Sequence, residues 1–174
     1  MEVSVSHLKD LGHQKIAYLS SALGSHIMRV RDRAFFQAMQ HHGLKADASH
    51  AGCSYYLSEC MEKHLPRFLD MGMTAIICCQ DTFASAAITQ CQQFGYRVPQ
   101  DISIIGFDDL PMCPYTSPPL TSVRQDRLEL GKSGYYALSS LMNQVSIGTI
   151  LLHAQLVKRG SSGPAPSQTS KTGM

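Results

Sequence analysis

Two adjacent carboxylates, Asp108 and Asp109, close the stretch Ile102–Asp109 (ISIIGFDD) and are the residues of this 174-residue chain best placed to meet a polar small molecule. Ile102, Ile104 and Ile105 are β-branched and uncharged, as suits a strand covered on both faces of a parallel sheet. Gly106 is expected to free the backbone before the acidic pair emerges. In open α/β sheets ligands bind beyond the carboxyl ends of the strands, which gives such a carboxylate a task. Aspartate is also common wherever a chain turns out of a strand, so ligand contact and acidic turn both stand at this point.

Other reactive groups form no catalytic pattern. The chain has no G-x-G-x-x-G, P-loop or G-x-S-x-G elbow to join an acid to a nucleophile, so it does not read as an enzyme and implies no cofactor. Six cysteines show no C-x-x-C pair and are expected as free, mostly buried thiols. Eight histidines are scattered without the i, i+4 spacing of a ligand pair, so no metal is expected; His41-His42 before Gly43 read as cations complementing a helix end. Asp81 occupies a natural N-cap position, and Arg31, beside Arg29 and Arg33, by itself reads as a solvated helix arginine.

A net charge of +2 and the lack of a Lys/Arg stripe argue against direct nucleic-acid binding. No apolar run is long enough to span a bilayer, and MEVSVSHLKD lacks the basic-then-apolar order of a secretory signal, so a cytoplasmic location is expected.

The elements that must position these residues alternate. Val5, Leu8 and Leu11 share a helical face ended by Gly12, and Lys15–Ser20 is a compact strand followed by a small-residue loop over 21–26. Arg29–His42 is a helix burying Phe35, Ala38 and Met39, and Ala46–Gly52 a modest strand. Tyr55–Met71 is a helix with a defect at Pro66. Thr74–Cys79 is a buried strand, and Thr82–Phe94 a helix leading to the acidic strand. Helix, glycine, strand, repeated, predicts an α/β fold with a doubly wound parallel sheet. Beyond Asp109 come a proline-rich loop, an extended piece at Leu120–Val123, and a helix over Leu128–Met142 with Leu130, Tyr135, Leu138 and Leu141 inward. Ile150–Lys158 reads as extended, and the Ser/Pro/Gly-rich tail 160–174 as disordered.

In order and spacing, HLKDLGHQKIAYLS, R-x-x-A-F-x-x-A at Arg31–Ala38, QDTFASAA, GYRVPQDISIIGFDDLP, SPPLTSVRQD and LLHAQLVKRGSS resemble the LacI/GalR family of bacterial transcription regulators. The resemblance runs from about His7 to Ser162. It implies a type I periplasmic-binding-protein-like sensor with two α/β subdomains closing on a sugar or nucleobase-type effector. On this reading residues 1–159 are a partial sensor: 12–120 form the second subdomain, 1–11 and 124–145 belong to an incomplete first one, and the DNA-binding helix-turn-helix headpiece is absent from this chain. Homodimerisation through the helix Thr82–Phe94 and the loop near Tyr115 is implied as well.

The resemblance also assigns residues. Arg31 falls where the family places an effector-binding arginine, whose forked donors suit hydroxyls or carbonyls. Asp108 matches the family's effector aspartate, leaving Asp109 to hold the turn. Gln80 stands where many members have asparagine, and Gln125 matches a crossover position near ligand or hinge. Ala34 replaces the more usual glycine. The function implied is effector sensing, with a sugar as the expected effector, for a transcription regulator; an extracytoplasmic sugar-binding protein of the same fold and a non-functional remnant are the alternatives.

Overall fold

The computed structural model describes residues 1–22 and 26–167. The loop expected at 21–26 and the tail beyond Ser167 therefore fall partly or wholly outside the described residues.

Helix α1 (Glu2–Asp10) leads into strand β1 (Ile16–Ser21), helix α2 (His26–His41) and strand β2 (Ala51–Ser54). Gly12 and Gly43, with φ of 88° and 68°, turn the chain out of α1 and α2 in a left-handed geometry that a Cβ disfavours. The strand expected at Ala46–Gly52 starts later. Asp47 accepts the Ser49 N–H at 2.8 Å and His50 takes the Asp47 N–H, so a 3-10 turn occupies Ala48–His50 first.

The next crossover is a composite helix: α3 (Leu57–Glu59), a π-helical turn (Cys60–His64) and α4 (Leu65–Asp70). The cause is the defect expected at Pro66. Proline has no N–H for the i−4 carbonyl and its ring crowds that turn, so the helix widens before resuming. Strand β3 (Ala75–Cys78), helix α5 (Asp81–Gln93), strand β4 (Ser103–Phe107), a 3-10 turn (Cys113–Tyr115), strand β5 (Thr121–Arg124), helix α6 (Arg127–Met142) and strand β6 (Gln155–Val157) follow among the described residues.

The sheet runs β2-β1-β3-β4-β5-β6, parallel except for β6, which is antiparallel to β5. Its α/β, doubly wound character is as expected. Ile77 pairs with Ile105 and Ile105 with Thr121, which aligns the carboxyl ends of β3, β4 and β5 on one edge of the core. Tyr18, Ile76, Ile77, Ile104 and Ile105 are fully buried, and Tyr18 stacks on Phe35 of α2 with ring centroids 5.1 Å apart.

Three expectations need correction. Residues 1–11 do not stand apart as a piece of another subdomain, because Val5 and Leu8 of α1 are fully buried in the same core as the sheet. The tail is not disordered over 160–167: Ser161 is buried, its hydroxyl accepts the Thr121 N–H at 2.8 Å and donates to the Ile104 carbonyl at 2.6 Å, and the Ala165 N–H reaches the Leu11 carbonyl at 2.8 Å. Its polar composition serves backbone groups at the sheet edge instead of solvent. Finally, α6 forms but buries no residue; Leu130, Tyr135, Leu138 and Leu141 are each more than half exposed.

Candidate functional site

The carboxyl edge of the sheet carries the site. α2 projects Arg31 inward, where one guanidinium nitrogen donates to the Cys79 carbonyl at the end of β3 (2.6 Å) and another to Asp108 Oδ1 beyond β4 (3.1 Å). The guanidinium carbon lies over the Phe107 ring, 3.9 Å from its centroid. Arg29 and Arg33 are exposed while the Arg31 side chain is only 12% exposed, so Arg31 is not a solvated helix arginine. Three partners fix its plane, and its remaining N–H groups are presented in one orientation.

Asp108 is 31% exposed at its side chain, so lone pairs remain open to solvent beside a fixed cation. Its backbone adopts φ 101°, unusual for a residue with a Cβ, and Asp109 follows at φ 46°. The Asp108 N–H donates to the Val123 carbonyl (2.9 Å), and Arg127 donates to the Asp108 carbonyl (2.9 Å). Strain of this kind persists where surrounding bonds over-determine a side chain's direction.

Asp109 turns the other way. It pairs with Arg159 at 2.8 Å and with Arg124, and its N–H donates to the Ser122 hydroxyl at 3.1 Å. Burial pushes the Asp109 carboxyl up, but the two arginines outweigh that and hold it below its ordinary value. It ties loop to strand.

Gly106 is not the flexible point that the sequence suggested; the left-handed residues are Asp108 and Asp109. A Cβ on Gly106 would lie 2.2 Å from Asp81 Oδ1, so glycine there makes room for a carboxylate. Nor is Asp81 the N-cap of α5. That position belongs to Gln80, whose backbone is extended (φ −150°, ψ 158°) and whose side chain makes no capping bond. Asp81 is the first helical residue, fully buried, accepting the Leu110 N–H at 2.7 Å and the Ser122 hydroxyl. Burial raises its pKa against the opposing pull of those bonds.

Arg31 and Asp108 are thus brought into contact. Gln80 stands one residue past the carbonyl that Arg31 holds. Gln125 shares with Asp108, Asp109, Arg124, Asp126 and Arg127 an open recess of about 300 Å³. Sequence reasoning missed Phe107 and Arg127 as supports of the site; the aromatic residue between Gly106 and Asp108 was the only signal. The arrangement offers a fixed planar donor beside a part-exposed carboxylate acceptor. That suits reversible binding of a hydroxyl-bearing molecule.

Residues 5–162 match the periplasmic binding protein-like domain family. The chain is 29% identical over 167 residues to the HTH-type transcriptional repressor CytR of Escherichia coli K12, covering 94% of this chain and 49% of that one. It is 33% identical over 165 residues to the HTH-type transcriptional repressor PurR of Pasteurella multocida, covering 91% and 49%. Among solved structures, a Lac repressor dimer bound to operator and an anti-inducer superposes with a TM-score of 0.82 at 29% identity, covering 93% of this chain and 57% of that chain. A LacI-family sugar-binding transcriptional regulator from Escherichia coli also gives 0.82, at 25% identity over 95% and 60%. The chain spans about half the length of the curated relatives it matches.

Proposed function

The chain belongs to the periplasmic binding protein-like domain family, in its LacI/GalR branch, and from that premise we propose that it is the effector-sensing part of a transcription regulator, taking a sugar against the Arg31–Asp108 pair. The observation that carries this reading is the Arg31–Asp108 pair at the shared carboxyl edge of β3 and β4. Asp108 accepts sugar hydroxyls with the lone pairs that Arg31 does not use, and the guanidinium donates to a hydroxyl or ring oxygen. Gln80 and Gln125 supply matched donor and acceptor amides at the flanks.

No bond is made or broken. Ligand stabilises one arrangement of the sensor at the expense of another and so biases the affinity of a DNA-binding headpiece. The sheet with α1 to α5 serves as one lobe, and residues 124–145 serve the second. The exposed Phe94 at the end of α5 and Tyr115 lie on the face through which two copies pair.

Calorimetric titration with a panel of pentoses, hexoses and disaccharides tests this reading. Saturable binding of at least one sugar to this chain, reduced more than tenfold in Asp108→Asn, is expected. Absence of any binding sugar, or a hit that Asp108→Asn leaves unchanged, would overturn it.

A further inference from the structure

Scattered in sequence without ligand spacing, the histidines include two that the fold brings together with a carboxylate. Glu2, in the first turn of α1, and His41 and His42, at the end of α2, converge at the junction of the two helices. His41 Nδ1 and His42 Nε2 each lie 2.8 Å from the same oxygen, Glu2 Oε1. The three potential ligand atoms all fall within 4.8 Å of one another.

We propose that Glu2, His41 and His42 form a surface binding site for a divalent transition-metal ion of the zinc type, with water completing a tetrahedron. Two imidazoles and a carboxylate are a borderline-soft N₂O set, which selects zinc-like ions over the hard cations that prefer all-oxygen cages. Metal–ligand bonds of about 2.0–2.2 Å place tetrahedral ligands somewhat more than 3 Å apart. The present N···O separations need to open by only about half an ångström to admit the ion. Glu2 supplies that movement, since its carboxylate is half exposed on a flexible stem.

A metal-bound imidazole carries its N–H on the nitrogen facing away from Glu2, and the facing nitrogen is the ligand. The end of α2 carries the negative pole of the helix dipole, which favours a cation there. Because the ligands come from two helices about forty positions apart, the bound ion links α1 to α2 and raises the stability of the folded chain by mass action.

Cobalt(II), whose visible spectrum reports tetrahedral nitrogen and oxygen ligation, is the probe, with zinc chloride for thermal unfolding. One equivalent of Co²⁺ should bind, Zn²⁺ should compete it off, and Zn²⁺ should raise the melting temperature. Loss of conserved outer partners alone costs metal sites about 10–100-fold in affinity, so removing a ligand in Glu2→Gln, His41→Ala or His42→Ala should cost more than tenfold. His153→Ala, at an exposed histidine elsewhere, should change nothing. His41 is largely exposed, so His41→Ala keeps the fold and the comparison remains decisive. Binding that survives in His41→Ala and Glu2→Gln, or no saturable binding below millimolar metal, would overturn the site.

Discussion

Asp108 and Asp109 are neighbours of identical chemistry given opposite tasks by their surroundings. Asp108 keeps an exposed carboxylate beside Arg31 and sits at φ 101°, where glycine is the least strained residue. Asp108→Gly is therefore expected to abolish ligand binding while changing the unfolding free energy by no more than about 1 kcal/mol, as relief of strain offsets the lost ion pair. Urea unfolding beside a ligand titration checks this. Asp109→Asn should behave in reverse, costing about 1–3 kcal/mol by leaving Arg159 without its anion. Because the folded Asp109 pKa is depressed, its contribution is fully present above the ordinary value of 3.8 and is lost as pH falls through the folded value. The stability gap between wild type and Asp109→Asn should thus be full at pH 7 and close in strongly acidic solution. Sequence motifs named Arg31 and Asp108, because residue type and order carry them. The resemblance also left Asp109 to hold the turn, but it could not give the cause, which is Arg124 and Arg159 arriving from β5 and from the chain beyond β6.

Elements were legible where periodicity and glycine punctuation agreed, as in α2, β3, α5 and β4. They were misjudged where a polar side chain bonded the backbone across the fold: Asp47 delays β2, and Asp81 leaves the N-cap to bridge α5, β5 and the Leu110 loop. Gly106 belongs to that bridge. Gly106→Ala drives a methyl against Asp81 Oδ1 and also approaches Leu120 to 3.0 Å, so a loss of about 1–3 kcal/mol is expected from displaced buried hydrogen bonds. Chemical denaturation should read it. A smaller cost for Gly106→Ala than for an exposed glycine such as Gly148 would contradict this role. Helix α6 makes the opposite case. Its apolar residues are exposed, so Leu130→Ser and Leu138→Ser together should alter the unfolding free energy by less than about 1 kcal/mol while lowering binding of an apolar dye.

At the scale of the molecule, repeated helix–glycine–strand units foretold the parallel sheet. The role of residues 160–167 was hidden, since a Ser/Gly/Pro composition describes a solvated chain until backbone partners on β4 and β5 are known. The sheet order brings Cys79, Asp108 and Gln125 to one edge although they are far apart in sequence, and α2 lays Arg31 across it. That convergence makes the carboxyl edge the binding edge of the sheet. The measurement that tests it most directly is a nitrogen-15 NMR titration of the chain with a sugar that binds. Shifts should concentrate at the amides of Cys79, Gln80, Asp108 and Gln125 and at the Arg31 side chain, and vanish in Asp108→Asn. Shifts that instead gather at the opposite, amino edge of the sheet, around Lys15 and Thr74, would contradict it.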